Sequence, residues 1–201
     1  MKIIAICVVI LGASLAACNS NKQQAPAAVT IENKKDTVSP GNDLKSSASA
    51  TIKPVSTFPQ KEILNGYLQL KNALANDNSK EAATAGNAIV SVLAKVDTLS
   101  LSQSQQKVYA DLQDDAREHA EHIGANPGKL DHQREHFEML SKDVNDLIKN
   151  FGNGGQTLYR DFCPMANDGK GASWISEVKE IKNPYMGKKM ATCGSVKETF
   201  K

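Results

Sequence analysis

From Phe58 to about Phe151 the chain repeats one pattern four times: apolar residues in alternating steps of three and four, cut by polar or glycine-rich breaks. That spacing puts the apolar side chains on one face of an α-helix, and no two-residue alternation competes with it over the span. The first helix is expected from about Pro59 to Asn76, with Ile63, Leu64, Tyr67, Leu68 and Leu74 facing the core. Asp77-Asn78-Ser79 interrupts it, and Ser79 is placed to cap a second helix carrying Ala82, Ala85, Ile89, Val92, Leu93 and Val96. The small residues of that helix allow a neighbour to approach closely. A third stripe follows a cap-rich break at Ser100–Ser104: Val108, Leu112, Ala116, Ala120 and Ile123. After the stop Gly124-Ala125-Asn126-Pro127-Gly128, Leu130, Phe137, Leu140, Val144, Leu147 and Ile148 form the fourth. Four amphipathic helices with short connections predict an all-α protein, an up-down-up-down four-helix bundle over 58–152.

The remaining segment, 153–201, reads as a loop-rich tail packed on the bundle as part of the same domain, with one helical turn around Trp174–Lys179. A tail of that length needs an anchor. Two chemistries are available. Cys163-Pro164-Met165 opens the stretch and Met190-Ala191-Thr192-Cys193 closes it, so each cysteine has a nearby methionine. Thiolates with thioethers are the set that copper(I) or silver prefers. A plain disulfide between Cys163 and Cys193 would pin the tail without any metal.

All four histidines fall in the third and fourth helices: His119 and His122 at i, i+3, and His132 and His136 at i, i+4. Each pair shares a helix face. An antiparallel turn near 126–128 sets His122 level with His132 and His119 level with His136. Two such rungs are candidates for zinc or copper(II) through imidazole nitrogens, with nearby carboxylates in support. HQREH lacks the glutamate directly after the first histidine, so it is not the metalloprotease pattern. With no nucleophile–base constellation and no phosphate-binding loop in the sequence, no enzyme is expected.

The first residues bear on location. A lysine, then an apolar run from Ile3 to Leu15, ends in Leu15-Ala16-Ala17-Cys18. This resembles the lipobox of bacterial lipoproteins, which implies a signal peptide over 1–17 and lipid on Cys18. Asn19 after it leans towards the outer membrane, with the protein facing the periplasm. Residues 18–57, rich in Ser, Ala, Lys, Asn and Thr with almost no large apolar side chains, read as a tether. The formal net charge of +2, with acidic and basic residues interspersed, gives no footprint for nucleic acid.

HQREHF, followed by LYRDFCPMANDGKGASWISEVKEIKNPYMGKKMATCG, resembles a bacterial domain-of-unknown-function family. Its members occur as small envelope lipoproteins and as C-terminal domains of adaptor subunits of heavy-metal efflux pumps. The resemblance implies a helical bundle with a Cys-Pro-Met element and an Asn-Pro-Tyr-x-Gly-x-x-Met-x-x-Cys-Gly element. It falls here on Cys163, Pro164, Met165, Asn183, Pro184, Tyr185, Gly187, Met190, Cys193 and Gly194, with His136 in the Arg-Glu-His-Phe segment. The chain lacks the adaptors' hairpin and barrel domains. The expectation is therefore a lipid-anchored periplasmic protein that binds copper(I) or silver and buffers the ion or delivers it to an efflux system. Cys163, Met165, Met190 and Cys193 are its first-choice ligands, with His136 and His119 to complete or adjoin them, and zinc is the alternative at the histidine hairpin. The other reading is a structural or interaction lipoprotein whose tail the disulfide holds.

Overall fold

The computed structural model describes residues 58–201. The signal peptide expected over 1–17, the lipid attachment expected at Cys18 and the tether expected over 18–57 all lie outside the described residues. Four helices form where the apolar periodicity places them: α1 (Gln60–Ala75), α2 (Ser79–Leu93), α3 (Gln103–Ala125) and α4 (Leu130–Phe151). Consecutive helices lie side by side and antiparallel. Gly66 meets Ile89, Gly86 meets Ala120, and the Tyr109 hydroxyl donates to Leu93 O at 3.1 Å. The two glycines permit this: a Cβ on Gly86 would sit 2.8 Å from Ala120 O, and one on Gly66 would sit 2.9 Å from an Ile89 side-chain carbon.

The helix caps follow from local chemistry. Asn78, rather than Ser79, caps α2, its Oδ1 accepting from Glu81 N at 3.2 Å. Ser79 is thereby free to donate to Gln133 Oε1 at 2.7 Å and join α2 to α4. Ser102 caps α3 in a reciprocal box with Gln105.

The tail corrects the all-α expectation. It forms a three-stranded antiparallel sheet in the order β2-β1-β3: β1 (Leu158–Cys163), β2 (Ala172–Ser176) and β3 (Ser195–Phe200). The helical turn expected around Trp174 is instead β2, with Trp174 paired to Asp161. The strands are short, and β1 buries Leu158, Asp161 and Cys163, so a charge occupies a core position and a bulge interrupts the β1–β3 register after Arg160. Polar and apolar residues therefore do not alternate cleanly, and the two-residue period is masked.

β2 is an edge strand, and its edge is closed by α1 of the bundle together with the tail's own Tyr185. Ile175 N donates to the Tyr67 hydroxyl at 3.1 Å, and that oxygen lies 2.8 Å from Ser141 Oγ. The Tyr185 hydroxyl donates to Ser173 O at 2.7 Å. Two phenols thus supply what a further strand would otherwise provide. Below them Lys71, fully buried, donates to Glu177 Oε2 at 2.7 Å, and Asn72 Nδ2 donates to the other oxygen at 2.9 Å. One continuous core runs from α1 through Phe137, Leu140 and Val144 to Leu158, Cys163 and Trp174.

Cys163 and Cys193 form a disulfide, Cα atoms 5.7 Å apart. Asn183 completes the clasp. Fully buried, it donates from Nδ2 to Cys193 O at 2.7 Å, and its Oδ1 accepts from Tyr185 N and Met186 N at 2.8 and 2.9 Å. No helix among the described residues is long and apolar enough to cross a membrane.

Candidate metal centre

The segment His132-Gln133-Arg134-Glu135-His136 sends successive side chains to different neighbours, because a helix turns each residue about 100° from the last. Gln133 is buried and donates from Nε2 to Ile123 O at 3.0 Å and Ser79 O at 3.1 Å, fixing α4 against α2 and α3. Arg134 turns towards the tail: Nε donates to Pro184 O at 2.8 Å and an Nη to Leu74 O at 3.1 Å, with Asp77 as its ion-pair partner. His132 and His136 are left on the side of α4 that faces α3.

There they meet His119 and His122. Nδ1 of His119 lies 3.3 Å from Nδ1 of His136, the rung expected from the antiparallel turn. The second rung, His122 with His132, has ring centroids 5.8 Å apart. Two contacts between rungs were not legible from level pairing. His136 stacks on His122 with centroids 4.2 Å apart and planes 9° from parallel, and His132 meets His136 edge-on at 4.6 Å. The result is a group: one nitrogen from each of His122, His132 and His136 lies within 4.8 Å of the others. His119 stands beside this group rather than in it.

For such nitrogens to become a tetrahedral face they must close from separations of up to 4.8 Å, and one of the stacked His122 and His136 rings must turn out of parallel so that both in-plane lone pairs meet at one ion. Metal–nitrogen bonds of 2.0–2.1 Å set ligand nitrogens about 3.3 Å apart. His122 is exposed and His132 and His136 are half-buried, so the rings have room to close around an ion. Burial holds the His136 imidazole below its usual pKa, and the three neighbouring histidines push it the same way. Burial also lowers His119. Both rings are therefore held neutral near pH 7, the form that offers a lone pair to a metal. The rim is acidic. Glu135 Oε2 lies 3.7 Å from His132 Nδ1, and the exposed carboxylates of Asp115 and Glu118 lie near His119, whereas Glu121 pairs with Arg117 and Asp131 lies nearest Arg134. Carboxylates around a neutral donor cluster raise the local concentration of cations.

The sulfur ligand set is arranged differently. Cys163 and Cys193 are joined to each other, Met165 is 54% exposed in the turn after β1, and Met190 is half-buried at the end of a short 3₁₀ turn, Gly187–Met190. A disulfide sulfur is not a thiolate, so as folded the tail carries the clasp rather than a four-sulfur site. Nor does the tail reach the histidines. It docks through Arg134 and Ser141, on the opposite face of α4 from His132 and His136. The expectation that His119 and His136 would complete the sulfur site separates into two places.

A cleft of about 440 Å³ lies between α4 and β2, lined by Glu138, Lys142, Arg160, Phe162 and Trp174 among others. Its charges are engaged at its edges, Lys142 with Glu138 and Arg160 with Glu198, both at 2.9 Å. The cleft therefore presents an apolar floor without converging reactive groups.

Residues 63–156 match the model of a family described as "Protein of unknown function (DUF3347)". The match covers nearly all of the four helices, with the histidine group inside it, and ends before β1, so the sheet and the disulfide lie beyond it. No curated protein and no solved structure matches the chain.

Proposed function

We propose that the chain is a lipid-anchored protein of the bacterial envelope that binds a transition-metal ion through the histidine hairpin of α3 and α4. The observation that carries the reading is the convergence of one nitrogen each from His122, His132 and His136 to within 4.8 Å, with the Glu135 carboxylate beside His132. Imidazole donors favour borderline divalent ions, zinc or copper(II). The oxidised clasp moves the first-choice site from the tail to the hairpin, since copper(I) or silver at Cys163, Met165, Met190 and Cys193 would require the disulfide to be reduced first. The envelope placement is supported by the lipobox-like Leu-Ala-Ala-Cys18, and a disulfide is consistent with an oxidising compartment. In that setting the protein buffers the ion or passes it to an efflux system through ligand exchange at a site open to solvent.

The test is titration of the purified full-length protein with zinc(II) and copper(II) against a competing chelator. One equivalent should bind per chain. Substituting His122→Asn together with His136→Asn should abolish that binding and leave the fold intact by circular dichroism. If the double variant holds either metal as tightly as the parent chain, the histidine reading is wrong.

A further inference from the structure

The four histidines are not equivalent, and their arrangement divides the work among them. His119 Nδ1 faces His136 Nδ1 at 3.3 Å, while one nitrogen from each of His122, His132 and His136 forms a group that leaves His119 out, so His136 is the ring common to both arrangements. Two neutral imidazoles at that separation can share one hydrogen bond only if one Nδ1 carries the proton and the other offers its lone pair. His119 lies on the α3 face that also carries the buried Ala116, Ala120 and Ile123, and is itself half-buried, so this bond is sheltered from competing water. When His136 donates from Nδ1, its Nε2 is left unprotonated and free to bind an ion. The hydrogen bond made by one ring nitrogen sets which nitrogen is metallated.

Resting on the hairpin reading above, we infer that the metal is held by three imidazoles, His122, His132 and His136, and that His119 is a positioning residue. It accepts the Nδ1–H of His136, fixing that ring's tautomer and orientation. The fourth coordination position is then supplied from outside these rings, on the side where His122 is exposed. A three-imidazole site with an accessible fourth position lets an incoming ligand bind the ion there before any imidazole leaves, and the three imidazoles then detach in turn as that acceptor takes the ion.

The hyperfine pattern of copper(II) bound to the full-length protein distinguishes the two arrangements, because pulsed electron paramagnetic resonance counts coordinated imidazoles. Three are expected in the parent chain. In His119→Gln the amide oxygen can still accept from His136 Nδ1, so the count should stay at three and the affinity within about threefold of the parent, less than the loss usual when an outer partner is removed. His119→Leu should keep three imidazoles at saturation but bind copper roughly 10–100-fold more weakly, the usual effect of losing an outer hydrogen-bond partner. Melting of the metal-free variants should match the parent. If the count falls by one in both variants, His119 is a ligand and the inference fails. It fails equally if His119→Leu binds copper as the parent does. Failure of the hairpin reading itself would show earlier and separately, as absence of stoichiometric copper binding by the parent chain.

Discussion

Asp161 is fully buried at the centre of β1, and neither carboxylate oxygen has a hydrogen-bond partner among the described residues. Burial pushes its pKa up to about 7; the charge of Lys71 pulls it down and that of Glu177 pushes it up. Because the folded value lies above the unfolded one, the native state holds more protons through this window. Stability contributed by the protonated form is full below pH 4 and declines as pH rises towards 7. Asp161→Asn should therefore be more stable than the parent at pH 8, by an amount on the order of 1–3 kcal/mol, and show little difference at pH 4. Urea unfolding at the two pH values checks this. A variant less stable at pH 8 would mean that the carboxylate works as the charged partner of Lys71. Gly187 is a second position where one atom matters. Its φ is +53°, and a Cβ there would collide with the Asp77 carboxylate and the Arg134 guanidinium. Gly187→Ala should cost on the order of 1–3 kcal/mol, measurable as a fall in melting temperature.

At the scale of elements, the tyrosine edge of β2 is the joint between bundle and sheet. Tyr67→Phe leaves the buried Ile175 N–H without its acceptor, a loss of about 1–3 kcal/mol. Hydrogen exchange should speed up at Ile175 while the α2–α3 contact is unaffected; unchanged protection there would mean that the phenol is incidental. This joint was not legible in the sequence, though Tyr67 falls on the expected core face of the first helix and Tyr185 in the Asn-Pro-Tyr element. A helical wheel reports which face is buried, not that a hydroxyl on it will meet a strand edge more than a hundred residues later. The helices were readable because their apolar steps are unbroken for several turns. The sheet was missed because Asp161 occupies a core position and each strand lasts only five or six residues. The histidine rungs followed from counting about the 126–128 turn. The grouping of three did not, because it depends on how His136 stacks across to His122. Lys71 shows the same limit, since a lysine inside an apolar helix face gives no sign that Glu177 will meet it.

For the molecule as a whole, the two faces of α4 look in different directions, the histidine group on one side and the disulfide-held tail on the other. A disulfide closing a loop of this length contributes about 3–4 kcal/mol in the chain-entropy description. Cys163→Ser with Cys193→Ser should lower the melting temperature while leaving zinc affinity at the hairpin unchanged. Loss of zinc binding in that variant would show that the tail takes part in the site. The Lys71–Glu177 and Tyr67–Ile175 contacts span 106 and 108 residues of sequence. Until the strand arrives, α1 holds a lysine whose only way to avoid burial without its counter-charge is to stay in water, so the first helix cannot settle on its final neighbours early. Contacts this distant along the chain slow folding, since a large loop must close before either end gains from it. The expected order is α2, α3 and α4 first, through their local hairpins, with α1 and the sheet locking together in one late step.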